Sequence, residues 1–369
     1  MVNKNGQFGT EVMPIFLVIT KNLGLMIFIV ISHNIDLINK IEKLLEKSGY
    51  CTQKISDTNI PKARYIGITG PHFGRLPVAY RLTTRNDGIW VWNKHIECAM
   101  TLKKHHAQND PRIVIVRPVG DTLLPTAIVH MAEILKELNQ TIVVKSVLPD
   151  LGNQLEQYGF TTYRKGDSWD NFAIEDDQTY PEHIVSTQAI KTRYGKRFKR
   201  LRRCLSKAKK FDLSWDSIYA ETHAHKISVN GYSTSLITEW VNGYIRRYPT
   251  ANKENIRSFY DAWINSMTLS DPKHIVCVVH RNKEDFLGLS FFGLIEDDTA
   301  EAYVMLLSRH IPYIGYVTLT KSLLALLDTY GIKKVNLGGS ETKGLDFFKR
   351  TFVPEKSLDV KHRIYYGTK

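Results

Sequence analysis

Cysteine is scarce in this chain of 369 residues. Its four, Cys51, Cys98, Cys204 and Cys277, lie far apart and form no Cys-x-x-Cys pair. That spacing excludes a zinc knuckle and a dense disulfide framework, and a reducing cytoplasm is the expected setting. Metal-ligand clusters are lacking as well. His223 and His225 make a lone His-x-His without a second ligand pair nearby, which two polar residues on one face of a strand or loop explain. Long unbroken apolar runs are also missing. Pro14 to Ile31 is apolar enough to suggest a signal or an anchor, but Lys21, Asn22 and Gly24 interrupt it. A span needs about 20 mostly apolar residues, so no membrane crossing is expected. Residues 1–25 are read as an extension, with the ordered fold starting near Met26.

Acidic residues are absent from one place where their absence matters. Lys191 to Lys210, KTRYGKRFKRLRRCLSKAKK, holds eleven Lys or Arg and no Asp or Glu. Taking those eleven from the chain's 50 leaves 39 basic residues against 37 acidic ones, so nearly all of the net +13 sits in twenty residues. Phe198, Leu201, Leu205 and Ala208 recur at helical spacing, which predicts a helix over 191–210 with its basic residues outward. Such a helix would be about 30 Å long. A solvated helix face is the ordinary account of a charge run. Eleven uncompensated like charges weaken that account and favour a polyanionic partner, a tRNA backbone or nucleotide phosphates, held by Lys196, Arg197, Arg200 and Arg203.

The rest of the composition excludes disordered and collagen-like classes: 43% hydrophobic and 24% charged residues suit a globular chain, and the length suits two domains. Met26 to Ile31 reads as a strand, followed by an amphipathic helix through Ile35, Leu37, Ile38, Ile41 and Leu44. In the second half, Ile275–His280, Phe286–Ile295 and Glu301–Leu307 are rich in β-formers and separated by polar breakers, which predicts an antiparallel meander. A helix over Tyr316–Tyr330 stopped by Gly331 follows. Next come a strand at Ile332–Leu337, a glycine turn, a short helix at Leu345–Arg350 and a last strand at Val360–Tyr366. The first half repeats the tail of this order: strand Arg112–Val116, helix Thr122–Leu138, strand Thr141–Val147, short helix Asp150–Tyr158 and strand Phe160–Arg164. The expected class is α/β with mixed sheets, built from a duplicated unit.

Three antiparallel strands, a loop, a helix, a strand, a helix and a final strand resemble the order of the Gcn5-related N-acetyltransferase (GNAT) fold. Leu155-Glu-Gln-Tyr158-Gly159-Phe160 is similar to the tyrosine–glycine–phenylalanine close of many such domains. The tandem arrangement resembles the phosphatidylglycerol lysyltransferase C-terminal domain and the Fem-type aminoacyl-tRNA-dependent transferases, each built of two GNAT lobes. Tyr194-Gly-Lys-Arg-Phe-Lys-Arg-Leu-Arg-Arg203 resembles the basic helix that opens their second lobe. Asn336-Leu-Gly-Gly-Ser-Glu341 with Gly344-Leu-Asp-Phe-Phe-Lys349 resembles their terminal glycine-rich turn and "phenylalanine-lysine" helix. The resemblance implies two GNAT-like lobes, 26–180 and 181–369, and transfer of an aminoacyl group from aminoacyl-tRNA to an amine, without a cofactor. A CoA-dependent N-acetyltransferase of the same fold, using acetyl-CoA or another acyl-CoA, is the first rival. A catalytically inactive nucleic-acid-binding GNAT module is the second.

Under the resemblance, Lys349 is the candidate for stabilising the oxyanion that develops at the ester carbonyl, with a surface lysine as the alternative. Gly338 and Gly339 allow close approach or positive φ, with Ser340 beside them in the substrate-binding turn. Asn336 and Glu341 flank that turn and are candidates to position the acceptor amine. Glu341 as a plain helix cap is the alternative. The donor loop departs from the acyl-CoA pattern. It reads Arg309-His-Ile-Pro312-Tyr-Ile314-Gly315-Tyr316, with Arg309, Tyr313 and Gly315 as candidate contacts and Pro312 where a pyrophosphate loop needs an N–H. Arg117-Pro-Val-Gly120-Asp-Thr122 in the first half comes closer to that pattern.

Overall fold

The computed structural model describes residues 36–55, 88–104, 111–162, 180–211, 214–219, 221–223, 226–228, 242, 274–280, 286–296, 298–307, 311–340 and 343–365. The expected strand at Met26–Ile31, the extension before it, His225, Arg309 and Glu341 lie outside them. The first half runs α1 (36–47), β1 (Cys51–Lys54), β2 (Gly88–Trp92), β3 (Ile96–Lys104), β4 (Pro111–Gly120), α2 (Leu124–Leu135), β5 (Ile142–Val147), α3 (Pro149–Glu156) and β6 (Thr161–Thr162). The second opens with β7 (Glu182–Ser186), α4 (Thr187–Thr192), α5 (Lys199–Ala208) and β8 (Ser214–Tyr219). A small hairpin, β9 (Glu221–His223) with β10 (Lys226–Ser228), precedes β11 (His274–His280), β12 (Phe286–Glu296) and β13 (Thr299–Leu307). The chain closes with α6 (Ile314–Tyr330), β14 (Lys334–Asn336), α7 (Lys343–Arg350), β15 (Lys356–Leu358) and β16 (Lys361–Tyr365).

The strands form two seven-stranded mixed sheets with one plan. The first is ordered β1-β2-β3-β4-β5-β16-β6 and the second β8-β11-β12-β13-β14-β7-β15. In each, the fourth and fifth strands are the parallel pair, β4 with β5 and β13 with β14, bridged by a helix. The expected meander β11-β12-β13 is antiparallel throughout. Each sheet's sixth strand comes from the other end of the architecture. The chain's last strand, β16, lies between β5 and β6, and β7 lies between β14 and β15. A division at residue 180 therefore does not divide the sheets, because 361–365 completes the first one.

Burial explains which strands are legible. Ile113 and Ile115 of β4 face a core with α1 and α2, while Val114 and Val116 face the other side, and all four are at most 1% exposed. A strand buried on both faces reads as an apolar run. Helix α6 ends as expected at Gly331, whose φ of +70° lets its N–H close back on Leu327.

The expected helix over 191–210 is not one helix. Arg193 (φ +46°) and Gly195 (φ +86°) turn the chain between α4 and α5, and single 3₁₀ turns flank α5. Helix α5 proper is ten residues, about 15 Å. Its docking face holds nonetheless: Phe198, Leu201, Cys204 and Ala208 are buried and Leu205 half-buried, against α6.

Candidate functional site

The glycine turn joins β14 to the short segment before α7. Gly338 has φ +68°, which an L side chain rarely adopts, so glycine is required there. Asn336, wholly buried, builds the turn from within. Its Oδ1 accepts the Gly338 N–H at 2.8 Å and its Nδ2 donates to Glu182 Oε2 at 2.9 Å. Leu337 N–H donates to the His183 carbonyl at 2.8 Å. Asn336 thus acts as scaffold here, not as a group reaching toward an amine. Ser340 is fully buried, and its backbone carbonyl accepts from Tyr180 N–H at 3.2 Å.

Lys349 is not a surface lysine. It is 9% exposed, and its ammonium donates to the Gly338 carbonyl at 3.2 Å and to the Gly339 carbonyl. The turn's amides at Leu337 and Gly338 are committed inside the fold, while its carbonyls anchor a cation. The turn thus holds an ammonium by two of its carbonyls. Beneath it, His183 Nε2 bonds Asp346 Oδ1 at 2.7 Å and His183 Nδ1 bonds Ser357 Oγ at 2.9 Å, tying β7 and β15 to α7. Burial lowers the His183 pKa from its ordinary value, against the opposing pull of Asp346.

A second buried group lies beside the turn and escaped the sequence reading. Glu301 of β13 is the register partner of Asn336 and is fully buried. Arg117, on β4 of the other sheet and 5% exposed, reaches it with Nη1 3.9 Å from Glu301 Oε1. Burial, and then the Glu301 carboxylate, push the Tyr303 hydroxyl well above its ordinary pKa. The signal was weak: alternate residues of Glu301-Ala-Tyr303 share a strand face, but periodicity alone does not tell which face is buried.

At both candidate pyrophosphate loops some of the described amides are bonded within the chain. Before α6, the Tyr313 carbonyl takes the N–H groups of Tyr316 (3.0 Å) and Val317 (3.3 Å), and Ile314 N–H turns to Ile311 O at 3.4 Å. Gly315 serves packing: an added Cβ would meet Leu307 Cδ1 at 2.9 Å and Phe348 Cε2 at 3.2 Å. Tyr313 stands under Lys207, whose ammonium is 5.6 Å from its ring centre. Before α2, Asp121 Oδ1 accepts the Leu123 N–H at 2.8 Å and Oδ2 bonds His95 Nδ1 at 2.8 Å. The bonds from His95 and then the Leu123 amide hold the Asp121 carboxyl below its ordinary pKa, so a negative charge already stands at that helix start.

On the surface, every Lys and Arg from Lys196 to Lys210 is exposed, including Lys196, Arg197, Arg200 and Arg203. Lys191, at the edge, pairs with Asp328 at 2.8 Å. The Arg200 guanidinium lies 3.9 Å from the ring centre of Phe347, joining the basic face to the helix that carries Lys349. Among the described residues, no three His, Cys, Asp or Glu side chains are placed to hold a metal ion, and no helix is long and apolar enough to cross a membrane.

No protein-family model and no curated protein sequence matches the chain. Solved structures do. The C-terminal domain of a putative lysylphosphatidylglycerol synthetase from Agrobacterium fabrum superposes with a TM-score of 0.54 at 13% identity, over 92% of this chain and 93% of that one. The structure of L-PGS from Bacillus licheniformis gives 0.52 at 11%, over 90% and 92%. A conserved protein of unknown function from Bacteroides thetaiotaomicron gives 0.55 at 14%, over 77% and 86%. At such identities the likeness is one of fold: two GNAT-like lobes in tandem, in a mixed α/β chain.

Proposed function

We propose that the chain is an acyltransferase that passes an aminoacyl group from aminoacyl-tRNA to an amine acceptor, with the chemistry in the second lobe. The observation that carries this reading is the junction at α7. There a buried ammonium held by two turn carbonyls adjoins an exposed, acid-free basic face through Arg200 and Phe347. The acceptor amine attacks the ester carbonyl, a C–N bond forms, and the negative oxygen of the tetrahedral species faces Lys349. Collapse breaks the C–O bond to the ribose, whose oxygen leaves with the proton lost by the amine. The ester is already activated, so no cofactor is needed.

The two helix starts favour this donor over acetyl-CoA. A pyrophosphate needs several unclaimed amide donors at a helix N-terminus. At one loop the Ile314 and Tyr316 amides go to the Ile311 and Tyr313 carbonyls, and the other presents the Asp121 carboxylate. The fold is shared with the C-terminal domain of a putative lysylphosphatidylglycerol synthetase, and it is the sequence resemblance to that kind of transferase that implies a charged-tRNA donor.

Incubation with tRNA carrying a mixture of labelled amino acids, in the presence of amine-bearing lipids, peptides and small amines, tests the reading. Label should leave the acid-precipitable RNA for an amine product, and labelled acetyl-CoA should give none. Transfer from acetyl-CoA alone would establish the CoA-dependent rival. Tight tRNA binding without any transfer would leave a binding module.

A further inference from the structure

Among the described residues four large hydrophobic side chains are exposed, Leu123, Tyr158, Tyr194 and Phe347. Two of them, both aromatic, belong to the basic face. Tyr194 is 88% exposed in the turn between α4 and α5, flanked by Arg193 and Lys196. Phe347 is 48% exposed on α7, with the Arg200 guanidinium laid over its ring. Its neighbours on α7 are spoken for: Phe348 packs on the second-lobe core and Lys349 turns to the glycine carbonyls.

A single exposed phenylalanine needs no explanation. Phe347 differs in three ways at once. It carries an arginine on its face, that arginine belongs to a stretch of twenty residues without an acid, and it is two residues from the anchored lysine. Aromatic rings and planar guanidinium groups on a cationic surface are what unpaired bases stack on, whatever their sequence. A duplex offers no free base faces, but a single-stranded end does. Two residues on a helix are separated by about 3 Å along its axis. Around the axis the two side chains diverge by about 200°, Phe347 outward and Lys349 inward, so a base on Phe347 would sit on the outer face of the same short helix that carries the buried ammonium.

We infer that the Arg200–Phe347 pair stacks the terminal base of the single-stranded 3′ end of tRNA; this rests on the aminoacyl-tRNA reading above. The basic face then grips the folded body of the RNA through phosphates, and the aromatic pair sets where the ester arrives.

Fluorescence anisotropy can test this with unfractionated tRNA, intact or trimmed of its unpaired 3′ nucleotides, on the wild type, Phe347→Ala and Phe347→Trp. Phe347→Ala should weaken intact tRNA about tenfold, the scale of one lost base stack. It should leave trimmed tRNA unaffected and the salt slope unchanged, since no phosphate contact is removed. Phe347→Trp should retain wild-type affinity. Equal losses for intact and trimmed tRNA, or no loss for either, would overturn the inference while leaving the donor reading in place. If the wild type binds neither RNA, the donor reading itself fails.

Discussion

Helices α3 and α7 occupy the same place in the two lobes, each eight residues long and each following the fifth strand of its sheet. The fourth residue is buried in both. Gly152 leaves room for Arg363 of β16, and Asp346 bonds His183 of β7. The seventh residue is also buried in both, but it is Leu155 in the first lobe and Lys349 in the second. The fold asks only for a side chain that packs there, and leucine meets that demand. Burying an ammonium costs several kcal/mol of desolvation, and polar partners repay that only in part. The second lobe thus carries, where the first has leucine, a buried lysine whose ammonium is bonded to the turn carbonyls. The helix starts before α2 and α6 also differ: an Asp121 carboxylate stands at the first, and the Tyr313 carbonyl takes two amides at the second.

The reciprocal strands make the boldest test of the two-lobe comparison. A chain ending at Leu358 loses β16 from between β5 and β6, and with it the buried Ile364 and Arg363. The first lobe should lose cooperative unfolding altogether in calorimetry, although the deletion lies at the far end of the sequence. Two melting transitions of wild-type character would show that the strand is dispensable.

Exchanging the seventh residues sharpens the comparison further. Leu155→Lys puts an unpartnered ammonium in the first-lobe core and should cost about 3–5 kcal/mol by denaturant unfolding. Lys349→Leu should cost no more than about 1–3 kcal/mol, the penalty for two turn carbonyls losing their donor. Turnover should nevertheless fall by roughly 10²–10³. Full turnover in Lys349→Leu would make the lysine a structural clamp only.

A smaller effect separates the fourth residues. Burial lowers the His183 pKa in the folded state below the ordinary 6.5. The unfolded chain therefore binds the proton first as pH falls. Stability is complete above about 6.5 and declines below it toward the folded-state value, by at most about 1.4 kcal/mol per pH unit. Gly152 in the first lobe has no such group. His183→Gln should flatten that acid-side slope in urea unfolding followed against pH, and an unchanged slope would assign it elsewhere.

How much of this was legible follows from burial and from sequence distance. The meander β11-β12-β13, helix α6 with its Gly331 stop, and the run from β4 to α3 announce themselves as periodic or doubly buried segments. Strands β2, β3 and β7 did not, since Gly88–Trp92 and Glu182–Ser186 are short and lack clean alternation. No local pattern reveals that β16 pairs with β5, because pairing across more than 200 residues leaves no periodic trace. At the site, Gly338 and Lys349 were readable from their motif. The inward turn of Lys349, the scaffold role of Asn336 and the Arg117–Glu301 contact depend on which face each residue presents after folding.

The central claim is that the second lobe's basic face holds tRNA while neither helix start holds CoA. Calorimetric titration with tRNA and with acetyl-CoA, between about 50 and 200 mM salt, tests it directly. The account predicts salt-sensitive tRNA binding and no measurable acetyl-CoA binding. Neutralising Lys196, Arg197, Arg200 and Arg203 together to Gln should lower the log–log salt slope by roughly three, as the phosphate contacts beside the stacked Arg200 are lost. Micromolar acetyl-CoA binding without tRNA binding would contradict it.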